Sequence, residues 1–247
     1  MEDKVTLIKK HFDNQAEQYE HCYRLGTACG AQKVKRKSQL LIDFAKIKGE
    51  CRVLELGCGT GIYTEELART GAEIFAVDIS QNMLNMAKQA LNAKNVFYVQ
   101  ADINRLPFAS QFFDSVVGAY VLQYLDLGSC LPEIRRVLRN NGRAAFVEPN
   151  MLNPICFLEA KVGLVGRKVG QCPEATAFLF WQMKKAFRQC GFIDIVIKPI
   201  EFVDPHTPPP LIPLSQKIGR LLERIPLIRE MAGTLFISAA LAQHQCY

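Results

Sequence analysis

No unbroken apolar run in the 247 residues approaches the ~20 that a membrane-spanning helix requires. The opening Met1-Glu2-Asp3-Lys4 has no apolar leader core, so export is not expected. Nine cysteines are scattered without a single CxxC pair, which removes the usual zinc and dithiol spacings. No metal site is expected, and reduced thiols in a cytoplasmic protein are the simplest reading. Excess charge is also scarce. A net charge of +6 is too mild to demand a nucleic-acid partner.

What is present suits one sizeable α/β domain with an ordinary share of apolar residues. Residues 1–50 read as helical, with Leu40, Leu41, Phe44 and Ile47 at helical spacing and Gly49 closing the segment. The basic run Lys33-Val34-Lys35-Arg36-Lys37 reads as the solvated face of a helix. From residue 51 short apolar runs alternate with amphipathic helical stretches. The runs are Arg52–Leu56, Glu73–Val77, Val96–Val99, Phe113–Tyr120 and Arg143–Val147. The stretches are Tyr63–Thr70, Met83–Leu91 and Cys130–Arg139. This rhythm predicts a doubly wound, mostly parallel sheet covered on both faces.

Residues 151–190 interrupt the rhythm and end in a helix over Phe178–Cys190, with Gly191 as its cap. A strand over Ile193–Ile197 follows. Residues 204–213 hold five prolines and read as a rigid extended loop. Leu214–Arg224 reads as a basic amphipathic helix packing Leu214, Ile218, Leu221, Leu222 and Ile225 against the domain. Thr234–Leu241 reads as the last strand, with one antiparallel member in the edge region of the sheet.

The first strand runs into Gly57-Cys58-Gly59-Thr60-Gly61. Open parallel sheets bind ligands at the carboxyl ends of their strands. A dinucleotide fingerprint starting at Gly57 needs its third glycine at position 62, which is Ile62. No Gly-Lys-Ser/Thr follows, so a P-loop is excluded as well. The loop suits a nucleotide-like ligand without phosphates. Asp78 ends the second strand, where a carboxylate receives both ribose hydroxyls, with helix capping as the alternative. Asp102 follows the third strand and can face an adenine amino group or cap a turn. Met83 can pack on a purine or simply fill the core.

Val53-Leu54-Glu55-Leu56-Gly57-Cys58-Gly59-Thr60-Gly61 resembles motif I of the class I S-adenosylmethionine (SAM)-dependent methyltransferases. Val77-Asp78-Ile79-Ser80-Gln81-Asn82-Met83-Leu84 resembles their ribose motif, and Ala101-Asp102-Ile103-Asn104-Arg105-Leu106-Pro107-Phe108 their adenine motif. Phe113-Asp114-Ser115-Val116-Val117 and Leu131–Gly142 resemble the fourth strand and the approach to the fifth. The opening Phe12–Tyr19 is similar to the ubiquinone-biosynthesis type. The resemblance implies a Rossmann-like fold with a helical N-terminal lid (1–50) and a SAM-binding domain (51–247). Within that domain, 151–190, a helical insertion, and 202–226 cover the substrate side.

It also implies contacts. Gly57 and Gly59 flank the methionine part of the cofactor, Glu55 and Cys58 of the same motif belong to the cofactor site, and Asp78 holds the ribose. Ile79 and Met83 sandwich the adenine, with Asp102 and Ile103 at its polar edge. Ala119 and Tyr120 line the sulfonium, and Tyr19 and Arg24 meet the cofactor's carboxylate. Related enzymes often carry histidine a few residues past strand four, where this chain has Gln123-Tyr124.

The implied reaction is in-line methyl transfer from SAM to a small-molecule acceptor, leaving S-adenosylhomocysteine. The acceptor class spans lipid, quinone, sugar-lipid and secondary metabolite. The alternatives are a SAM-binding scaffold without catalysis and, against the glycine spacing, a nicotinamide-dependent oxidoreductase. Nucleic acid is not expected, because Gly118-Ala119-Tyr120-Val121 is no Asn/Asp-Pro-Pro-Tyr/Phe motif. For the basic helix Leu214–Arg224 a membrane surface is the alternative to packing against the domain, and packing is the expectation. Candidates for a general base are Glu148, His206 and His21.

Overall fold

The computed structural model describes residues 3–22, 25–161, 172, 175–176, 178–203 and 207–242. Five strands run parallel, β1 (Arg52–Leu56), β2 (Glu73–Asp78), β3 (Val96–Gln100), β4 (Phe113–Ala119) and β5 (Leu138–Pro149). β6 (Phe192–Ile200) and β7 (Thr234–Leu241) complete a seven-stranded sheet of order β3-β2-β1-β4-β5-β7-β6. β7 is antiparallel to both of its neighbours. Strand order reverses between β1 and β4, which opens a cleft at their carboxyl ends.

Alternate residues of the central strands enter opposite layers. Leu54, Val116 and Phe146 face one core with α6 (Leu127–Val137) and the helix over Phe180–Gln189. Val53, Val117 and Val147 face the other, with α3 (Ala28–Ala45), α4 (Ile62–Ala68) and α5 (Gln81–Ala90). The doubly wound architecture and the antiparallel strand next to the edge are as expected. At the N-terminus α1 (Lys4–Gln15) and the short α2 (Tyr19–Cys22) precede α3. After β5 come α7 (Pro154–Lys161), α8 (Phe180–Gln189) and, beyond β6, α9 (Ile212–Leu222). Among the described residues no helix is long and apolar enough to cross a membrane.

Four local expectations need correction. α3 ends at Ala45 with Lys46 in the left-handed region, not at Gly49, and Ile47 then turns into the core. The proline-rich segment is not extended throughout. Pro209–Leu211 forms a 3-10 turn and Pro213 sits in the first turn of α9, where a missing N–H costs nothing.

The basic run is not a solvated face. Lys37 is buried, Lys33 donates to the Val203 carbonyl at 3.0 Å, and Arg36 forms a two-pronged bond to Glu223 at 2.9 and 2.6 Å. Only Lys35 of the four cations is exposed. α9, finally, does not bury its apolar stripe. Ile212 and Gly219 face inward, while Leu214, Ile218 and Leu221 face solvent.

Candidate functional site

The loop after β1 turns in a left-handed conformation at Gly57 and Gly59, with φ of 65° and 54°. A Cβ on Gly57 would stand 2.6 Å from Val121 Cγ2, so no side chain fits there. At Gly59 the nearest atom is Tyr19 Cε1 at 3.9 Å, which brings the N-terminal segment directly over the loop. α4 then starts at Ile62, its first turn open to donate N–H groups.

Asp78 crosses to this loop. Its Oδ2 accepts from Gly59 N and its Oδ1 from Ser80 N, each at 2.9 Å. Asp78 is not the cap of α5. Ser80 is, accepting from Met83 N at 3.1 Å. Burial pushes the Asp78 pKa up to about 6, against the N–H groups of Ser80 and Gly59. Ile79 is half-buried beside it and Met83 fully buried. Asp102 caps the turn Ile103–Arg105, accepting from Asn104 N at 2.9 Å, and Ile103 is buried. Two polar atoms near these elements are buried with no protein partner, Thr60 Oγ1 and Asn104 Oδ1.

Glu55 lies within β1 and accepts from Thr64 Oγ1 at 2.7 Å, tying the strand to α4. Burial pushes its pKa up to about 8. Cys58 is buried, and burial raises its thiol well above the ordinary value. It therefore stays protonated.

On the far side of the cleft, Tyr120 follows β4 and Ala119 with φ of 57°. A bulky residue in this region is strained and persists only where its neighbours hold it. Here Tyr120 N donates to the Val147 carbonyl at 2.7 Å. The next three N–H groups, of Val121, Leu122 and Gln123, all point at the Glu148 carboxylate, at 3.0, 2.8 and 3.3 Å. Glu148, a base candidate in the sequence, is engaged by these three donors. It is fully buried and its oxygens hold the turn that presents Tyr120. Burial pushes its pKa up to about 8 despite those donors.

Three residues at the site are not singled out individually by the sequence, although Lys37 lies in the basic run and Asp13 in the Phe12–Tyr19 segment. Lys37 Nζ donates to Tyr120 OH at 2.6 Å, and Thr234 Oγ1 lies 3.3 Å from the same hydroxyl. Burial works against the Lys37 charge, but Tyr120 and Glu201 outweigh it and its pKa is raised. Asp13 is the third. It accepts from Ser80 Oγ at 2.6 Å and from Asn82 N at 3.4 Å, and its carbonyl accepts from Asn82 Nδ2 at 2.9 Å. α1 is thereby fastened to the start of α5. Phe12 stacks edge-on against Tyr124 at 5.1 Å and faces Tyr19 at 6.3 Å. Gln123 and Tyr124 therefore serve the turn and the N-terminal contact. Gln123 Nε2 donates to the Tyr120 carbonyl at 3.0 Å. His21 is exposed on α2, and Arg24 and His206 lie outside the described residues.

The methyltransferase domain family matches residues 54–146, from β1 to β5. The demethylmenaquinone methyltransferase of Thermobifida fusca is 32% identical over 180 residues, covering 68% of this chain and 75% of that protein. The biotin biosynthesis bifunctional protein of Cellvibrio japonicus is 33% identical over 156 residues, 62% of this chain. The match spans only 29% of that longer protein. In architecture the chain is similar to phosphoethanolamine N-methyltransferase 2 of Haemonchus contortus, solved with phosphomonomethylethanolamine and S-adenosylhomocysteine. The TM-score is 0.70 at 17% identity, over 98% of this chain and 61% of that one.

Proposed function

This chain belongs to the class I SAM-dependent methyltransferases, and we propose that it methylates a small, largely apolar acceptor held between the glycine loop and Tyr120. SAM is its methyl donor. The residues fit that donor. Two glycines in the left-handed region keep side chains away from the loop, and Asp78 offers a carboxylate across it. The buried and unpartnered Thr60 Oγ1 and Asn104 Oδ1 suit the polar edges of an adenosyl group. In this proposal Gly57 and Gly59 flank the methionine part, with Glu55 and Cys58 supporting the loop from the buried side. Asp78 takes the ribose, and Ile79, Met83, Asp102 and Ile103 surround the adenine. Ala119 and Tyr120 border the sulfonium, and Tyr19 meets the carboxylate of the methionine part.

The observation that carries the small-acceptor reading is the N-terminal cover. Tyr19 lies over Gly59, and Asp13 fastens α1 to Ser80 and Asn82. In this proposal residues 1–50 act as a lid over the glycine loop, a cover that suits a small acceptor better than a nucleic-acid strand. The relative named for demethylmenaquinone supports a quinone-like or otherwise lipophilic acceptor. An electron pair of the acceptor's O, N or C nucleophile attacks the methyl carbon as the carbon–sulfur bond breaks, sulfur keeps the pair of that bond, and the acceptor's proton passes to solvent. Alignment and exclusion of water supply the rate, roughly 7–11 kcal/mol in favourable cases.

The test is methyl-labelled SAM incubated with separate lipid-soluble, aqueous small-molecule and nucleic-acid fractions. Label in the lipid-soluble fraction is expected. Label confined to nucleic acid would overturn the reading.

A further inference from the structure

Helix α9 is amphipathic the wrong way round for packing. Leu214, Ile218 and Leu221 recur at helical spacing and are 56%, 49% and 60% exposed. The opposite face turns Gln216, Gly219 and Glu223 toward the body. Gln216 donates to Gln32, and the Glu223 carboxylate accepts from Arg36 and from Glu201 N. A domain gains nothing from exposing such a stripe, so a contiguous one marks a docking surface. The apolar surface continues past the helix through Ile225 and Leu227, the latter 84% exposed. α7 borders the same segment, because Asn153 Nδ2 donates to the Met231 carbonyl at 2.7 Å and Cys156 Sγ to the Gly233 carbonyl at 3.4 Å. Ile155 and Leu158 of α7 are exposed as well.

The flank of the stripe is basic. Lys217, Arg220 and Arg224 are exposed, and α9 itself contains no acidic residue. The two acids that follow are engaged, Glu223 by Arg36 and Glu230 by Arg229. Two copies paired through this stripe would set basic flank against basic flank. An anionic bilayer answers both halves of the pattern, its acyl boundary taking the leucines and its headgroups the cations.

We infer that α9 and the segment to Met231 dock this enzyme peripherally on an anionic lipid surface. This takes the alternative over the packing expected from the sequence, and it stands apart from the acceptor proposal.

The experiment is co-sedimentation of the full chain with vesicles of phosphatidylcholine, with and without phosphatidylglycerol. Binding to the anionic vesicles is expected, weakening as salt is added. Leu214→Asp with Leu221→Asp should lower vesicle affinity at least roughly tenfold. Lys217→Ser with Arg224→Ser should remove most of the preference for phosphatidylglycerol. SAM affinity, read by calorimetry, should be unchanged in both variants, which separates failure here from failure of the donor site. Absence of vesicle binding, or binding indifferent to these substitutions, overturns the inference. A concentration-dependent dimer lost on Leu214→Asp, without vesicle binding, overturns it in favour of a second copy.

Discussion

The Lys37 ammonium donates a 2.6 Å hydrogen bond to the Tyr120 hydroxyl, joining α3 to the carboxyl end of β4 across the switch point of the sheet. Lys37 is only 3% exposed. Its charge is therefore tolerable only while an oxygen faces it. Tyr120→Phe removes that oxygen and leaves the buried ammonium with the field of Glu201 but without its hydrogen-bond acceptor, and should cost about 1–3 kcal/mol. Lys37→Met removes the charge and keeps the apolar stem, and should cost less than about 1 kcal/mol. Urea denaturation of the two variants checks this asymmetry. A costlier Lys37→Met would contradict it.

Gly57 and Gly59 should differ although both have positive φ. Gly59→Ala meets only Tyr19 at 3.9 Å, so it carries the left-handed penalty alone, roughly 1–2 kcal/mol. Gly57→Ala adds a 2.6 Å clash with Val121, in the turn that Glu148 holds. It should lower the melting temperature further than Gly59→Ala. Equal melting temperatures would mean that the turn yields.

Glu148 is read as a structural acceptor. Glu148→Ala leaves three buried N–H groups unpaired and should cost about 3 kcal/mol or more. Glu148→Gln keeps one acceptor oxygen and should fall between parent and alanine variant. Denaturant midpoints in that order are expected. An alanine variant as stable as the parent would sink the assignment.

The raised pKa of Asp78 sets a pH window. Ribose hydroxyls donate to the ionised carboxylate, so SAM binding competes with the proton. The affinity should be flat above about 6 and weaken as pH falls through that value. The slope should approach about tenfold per pH unit. The stability effect has the opposite sense. The folded, ligand-free protein keeps this proton longer than the unfolded chain, so the group's contribution is lost as pH rises from 3.8 through about 6. Calorimetric titration across this range, with a parallel melting series, measures both.

What the sequence made legible was local or periodic. The glycine spacing, Asp78 at the end of β2 and the β7 boundaries each follow from a few neighbouring residues. Lys37 was not legible, because its burial depends on Tyr120, 83 residues away. Lys33 and Arg36 likewise depend on Val203 and Glu223. Glu148 had the right residue type for a base, and only the return of the turn after β4 reveals its task. For α9 the period correctly gave a helix with an apolar stripe, but periodicity does not say which side faces the protein. Arg36 drawing Glu223 inward decides that.

The central claim is that SAM binds with its ribose on Asp78. Titration of SAM into the parent protein and into Asp78→Ala tests it most directly. Two hydrogen bonds to a charged acceptor are removed, so the affinity should fall at least roughly 100-fold. The circular dichroism spectrum should remain that of the folded parent. A folded Asp78→Ala variant that binds SAM as tightly as the parent would contradict the account.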